Sequence, residues 1–137
     1  MPLLAQILSE NWLLQVLNVF FFAFHLLLIL FSLTAWAFRK WRKWHLISVG
    51  ITAFSWLALG WFYGWGYCFL TDWHFSIRRE LGLTIDSSSY IQFLINRLGI
   101  DLWSAQITDV ITAVAFGAVA IASIYLNLRD YRKSNAR

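Results

Sequence analysis

Between Trp12 and Phe38 the chain carries no charged residue. That run exceeds the roughly 20 residues with which a helix crosses about 30 Å of hydrocarbon. It ends on Arg39, Lys40, Arg42 and Lys43. Two further stretches repeat the pattern: Leu46 to Leu70 is free of charge, and Ser104 to Leu128 holds only Asp109. A 137-residue chain that is 60% hydrophobic and 13% charged has more apolar surface than a soluble core of its size can bury. The class that follows is an all-α integral membrane protein. One membrane domain over residues 1–137 is expected, with three transmembrane helices at about 12–38, 46–70 and 104–128.

Charge placement gives the direction. Arg39–Lys43 and the tail containing Arg129, Arg132 and Lys133 are the basic blocks, and cytoplasmic flanks collect Lys and Arg. Three spans satisfy both blocks with the N-terminus outside and the C-terminus inside, as a multi-pass protein of the inner (cytoplasmic) membrane. The net charge of +4 is concentrated at the ends of spans, which argues for topology and against nucleic acid as a partner. Residues Pro2–Ser9 read as a short apolar lead and Ser9-Glu10-Asn11 as helix-capping residues. No basic region precedes the apolar run, so the first span is expected to be retained.

The outer loop 71–103 is mixed in character and balanced in charge. One short helix is expected through Ser76–Leu81, stopping at Gly82. A second is expected after Ser87-Ser88-Ser89, with Ile91, Leu94, Ile95 and Leu98 on one face and a stop at Gly99. These amphipathic helices are expected to rest on the membrane or the bundle.

Within the first span, Gln15, Asn18, His25 and Ser32 are spaced three, seven and seven residues apart, so a helix places them on one face. If the first two spans form a hairpin about Arg39–Lys43, His25 falls near the depth of Ala58, one turn from Ser55. Asp109 and Thr112 then lie near the depth of Gln15 and Asn18. The candidate intramembrane polar site is therefore Gln15, Asn18, His25, Ser55, Asp109 and Thr112. Such groups serve either as interhelical hydrogen bonds, worth about 0.6–2 kcal/mol each, or as functional ionisable sites. The same counting puts His45 at the cytoplasmic edge and His74 beyond the outer edge, out of reach of His25. A bis-histidine haem site would then require a symmetric dimer, and replacing His25 with leucine should do more harm than replacing His45.

Cys68, Asp72 and His74 form a candidate outer-face cluster of metal-ligand types, but their spacing matches no standard zinc pattern. Cys68 is the single cysteine, so no disulfide forms within the chain. Gly60 with Gly64, and Ala113 with Gly117, have the four-residue spacing that lets helices approach closely. No phosphate-binding glycine loop, HExxH or nucleophile elbow is present, which favours a non-enzymatic role.

Several landmarks fall in one order: His25-Leu26-Leu27, the basic-aromatic turn leading to His45-Leu46, Cys68-Phe69-Leu70-Thr71, Arg78-Arg79 and Tyr90-Ile91. In this the chain resembles domain-of-unknown-function family 2784, small bacterial integral membrane proteins, over about residues 13 to 133. It departs from that pattern at Phe69, where the family typically has proline. It departs again at Gln92-Phe93, where a Glu-His pair is usual, which bears on any histidine chemistry at the outer face. The resemblance implies the membrane class and no activity.

The first functional expectation is a structural protein or an accessory subunit of a membrane assembly. Its partners would be the lipid bilayer and either its own copies or a larger complex. The alternative is a small-molecule, metal or haem-linked protein using His25 or the Cys68/Asp72/His74 cluster.

Overall fold

A computed structural model describes residues 11–100 and 104–137. The Pro2–Ser9 lead, the capping residues Ser9 and Glu10, and Asp101 and Trp103 lie outside the described residues. Asn11 precedes the first helix without a side-chain cap bond.

Three helices are long and apolar enough to cross a membrane: Trp12–Ala37, Arg42–Tyr63 and Ala105–Asn135. The first, α1, is α-helical over Trp12–Thr34 and tightens to a 3-10 turn at Ala35–Ala37. The second, α2, is α-helical over Arg42–Phe54 and Gly60–Tyr63, with a π-helical stretch at Ser55–Leu59 between them. Two short helices follow, α3 (Phe69–Glu80) and α4 (Tyr90–Arg97), and then the long α5 (Ala105–Asn135). No strand occurs among the described residues.

The second span ends at Tyr63, well short of Leu70. Gly64 takes φ +114° and Gly66 φ +81°, conformations that side-chain-bearing residues rarely adopt, and the chain turns back on itself there. Ser55 Oγ fixes the return: it donates to the carbonyl of Tyr67 at 2.9 Å and accepts from the backbone N–H of Phe69 at 3.4 Å. Gly60 therefore meets the backbone of Trp65, with a notional Cβ 3.4 Å from its Cα, rather than another span. The Gly60/Gly64 pair closes a helix end and is not an interhelical packing motif. Ala113 is exposed, and a Cβ on Gly117 would touch nothing within 4 Å, so that pair makes no close helix contact either.

The basic end is pinned by hydrogen bonds. Arg42 donates to the carbonyl of Trp36 at 3.1 Å and to the Asp130 carboxylate at 2.8 Å. Asn127 donates to the carbonyl of Arg42 at 3.0 Å. The ends of α1 and α5 are thus tied to the start of α2.

At the opposite end, α3 packs on α1 and α4 on α5. Their contact is the main apolar core among the described residues: Phe75, Tyr90 and Phe93, with Ile29, Ile85 and Leu94 against them. Ile29 lies past the midpoint of α1, so the connection folds down into the bundle rather than lying across its end. Gly82 (φ +70°) and Gly99 (φ +69°) end α3 and α4 as the sequence leads one to expect. Ser89 and Ser104 cap α4 and α5, accepting from Gln92 and Ile107. The inward face of α4 differs from expectation. Tyr90 and Phe93 are buried while Leu98 is 73% exposed, because the two aromatic rings fill the gap between α3 and α1.

Candidate functional site

The polar seam of α1 does face inward, with one exception. Asn18 is half-buried, His25 buried and Ser32 half-buried, but Gln15 is exposed. The partners are not those that depth-counting gives. Asn18 pairs with His74, whose Nε2–H donates to Asn18 Oδ1 at 2.8 Å. The His25 ring lies on the Tyr90 ring, with centroids 3.7 Å apart and planes 3° apart. Ser55 is occupied by the Tyr67–Phe69 return and does not meet His25. Asp109 is exposed, and Thr112 Oγ1 donates within its own helix to the carbonyl of Thr108.

A cluster the sequence did not assemble surrounds Tyr90. His74 is fully buried, with ring centroids 5.7 Å from Tyr90 and 6.2 Å from Phe93. Arg78 is also buried. Its guanidinium carbon lies 4.9 Å from the Phe93 centroid, and its Nη2 donates to the carbonyl of Thr84 at 3.1 Å. Arg97 reaches the same ring at 5.4 Å from the exposed side. Helix periodicity explains the convergence on α3, where His74 and Arg78 are four residues apart and so share a face. His25, His74, Arg78 and Tyr90 each have one buried polar atom without a hydrogen-bond partner among the described residues: His25 Nδ1, His74 Nδ1, Arg78 Nε and Tyr90 Oη. Buried polar groups are paired in the great majority of cases, so four such atoms in one cluster mark it out.

The electrostatics follow from burial and from the arginines. Burial first, and Arg78 second, push the His74 imidazole down to about 4, keeping the ring neutral. Burial pushes the Tyr90 phenol up to about 12, against the pull of Arg78 and Arg97. Burial, then Arg97, lowers Arg78 from its ordinary value. Arg78 forms no ion pair among the described residues.

His45, near the basic end of α2, is fully buried between spans, with Nε2 2.8 Å from the Ser32 carbonyl and Nδ1 2.9 Å from Ser123 Oγ. A carbonyl only accepts, so Nε2 carries the proton and the neutral ring accepts from Ser123 at Nδ1. Both nitrogens are engaged. At the other end of α5, Thr108 Oγ1 donates to Gln92 Oε1 at 2.6 Å, docking α4 on α5.

Cys68, Asp72 and His74 do not converge. Asp72 is exposed and accepts from Tyr67 Oη at 3.1 Å, while His74 points into the bundle and Cys68 is half-buried. No group of three His, Cys, Asp or Glu side chains suited to a metal occurs among the described residues.

The family model described as "Protein of Unknown function (DUF2784)" matches residues 15–128. No curated protein and no solved structure matches the chain.

Proposed function

The chain belongs to the DUF2784 family, and we propose that it is a non-enzymatic, membrane-embedded binding protein whose working centre is the His25–His74–Arg78–Tyr90 cluster. The observation that carries this reading is the set of four unpartnered polar atoms on four buried side chains. Polar groups buried only as interhelical hydrogen bonds would be partnered, as Asn18, Ser55, His45 and Thr108 are. Unpaired ones cost about 1–3 kcal/mol each, a cost that a bound molecule relieves.

The proposed setting is an inner membrane, with the cluster towards the outer face and the basic turn and C-terminal tail in the cytoplasm. The support is the concentration of cations at Arg39–Lys43 and Arg129–Lys133. Labelling of a Ser134→Cys, Cys68→Ser protein by an impermeant maleimide should occur only after the cytoplasmic face is opened. Labelling of intact cells would reverse the orientation.

Native mass spectrometry of the protein extracted from its own membrane tests the binding reading. A small-molecule adduct should accompany the wild-type chain and be lost on Arg78→Gln. The bare chain mass in both would sink it. An accessory-subunit role is the second reading, favoured by a face of α5 on which Val114, Ala118, Ile121 and Tyr125 are all exposed. A stoichiometric protein partner retained through extraction would support it.

A further inference from the structure

We infer that the cluster takes a phosphate-type oxyanion, held by Arg78 and Tyr90 from α3 and α4 and by His25 and His74, whose rings lie against that of Tyr90. This rests on the binding reading above and adds the charge and the hydrogen-bonding pattern of the occupant.

The charge follows from the side chains present. Arg78 is 5% exposed and has no carboxylate within ion-pair distance among the described residues. Asp86 acts on it only at longer range, and Arg97 adds a second positive charge across the Phe93 ring. A buried guanidinium needs a counter-charge, and arginine matches planar and tetrahedral oxyanions well.

The donor pattern narrows the class. Arg78 Nε–H and Tyr90 O–H can only donate to a charged oxygen at neutral pH, and His25 Nδ1 can donate in one tautomer. His74 already donates through Nε2 to Asn18, so its Nδ1 accepts while the ring is neutral. Hydrogen phosphate, or a phosphate monoester, offers both acceptor oxygens and one hydroxyl, which satisfies all four atoms. A lipid phosphodiester offers the oxygens without the hydroxyl and leaves His74 Nδ1 unpaired.

The test uses the full-length purified chain in neutral detergent and in nanodiscs of phosphatidylcholine with or without phosphatidylglycerol. Thermal unfolding is followed against inorganic phosphate, with chloride at matched ionic strength as the reference. A saturable rise in the unfolding temperature is expected. Arg78→Gln should weaken the response about 10- to 100-fold, the range set by one charge-assisted hydrogen bond. Arg78→Lys should weaken it less, and Arg79→Gln, an exposed neighbour on the same helix, should leave it unchanged. Equal responses in the Arg78 and Arg79 variants, or none in the wild type, would overturn the inference. So would a response that appears only on Asp101→Asn, since the chain would then supply its own counter-charge. A rise in phosphatidylglycerol nanodiscs that free phosphate does not compete away would also overturn the free or monoester form. A native adduct without any phosphate response would overturn the inference and leave the binding reading standing.

Discussion

The imidazole of His25 lies parallel to the phenol of Tyr90, with centroids 3.7 Å apart. This one contact joins the middle of a spanning helix to a short helix of the connection. The rings overlap almost face to face, so the contact acts mainly through the apolar area it buries. The hydroxyl of the same tyrosine has no partner among the described residues, so ring and hydroxyl should separate experimentally. Tyr90→Phe should raise the stability of the ligand-free protein by about 1 kcal/mol by removing an unpaired buried group. Tyr90→Ala should cost about 3 kcal/mol by emptying the core. Unfolding midpoints in detergent check both, and a destabilising Tyr90→Phe would mean that the hydroxyl is bonded.

His45 holds two spans together through the Ser32 carbonyl and Ser123 Oγ. His45→Leu strands both, and should cost about 2 kcal/mol. His25→Leu keeps an apolar surface against Tyr90 and should cost less. For stability the contacts therefore rank His45 above His25, whereas the expectation from the sequence concerns function and ranks His25 first. A double-mutant cycle with Ser123→Ala should return a coupling near the roughly 0.6–1.7 kcal/mol seen for interhelical bonds; no coupling would remove His45 as a tie.

The contrast between His45 and His74 says what the sequence could reveal. The spans were legible because charge-free runs of that length admit few other structures, and Gly82, Gly99 and Ser89 act within one turn of themselves. Asn18, His25 and Ser32 were recognisable as one face for the same local reason. Their partners were not, because pairing by depth assumed that residues 71–103 stay at the surface. Once Gly64 and Gly66 turn the chain back and Ser55 ties down Tyr67 and Phe69, His74 reaches Asn18 instead of water. Nothing local in the sequence marks that return. The one available hint was Gly64 itself, since glycine serves a sharp reversal as readily as helix packing.

His74 makes stability depend on pH. Burial, reinforced by Arg78 and Arg97 and partly offset by the Asn18 bond, lowers it from 6.5 to about 4. Between those values the unfolded chain binds a proton that the folded chain excludes, so stability increases with pH across that window. It is complete above about 6.5 and is lost as pH falls towards 4. His25, Arg78, Tyr90 and Arg97 are the ionisable groups around the ring and remain in place in a His74→Gln variant. The wild type minus variant difference in unfolding midpoint should shrink from pH 7.5 to pH 4.5; a constant difference would show that His74 does not titrate in this range.

The glycines give a final test of how α2 ends. If Gly60 and Gly64 packed against another span, alanine at either would push the helices apart, and the two variants would be comparably harmful. In the structure Gly64 has φ +114° and open space, whereas Gly60 is helical, with a notional Cβ at ordinary contact distance from Trp65. Gly64→Ala should therefore cost about 1–2 kcal/mol of backbone strain. Gly60→Ala should lie near zero, its helix-propensity gain offsetting the contact. Gly117→Ala meets nothing within 4 Å and should stabilise α5 by up to about 1 kcal/mol. Unfolding midpoints of the three variants, each with unchanged oligomeric size, decide between a turn and a packing motif; losses at Gly60 and Gly117 matching that at Gly64 would restore the packing motif.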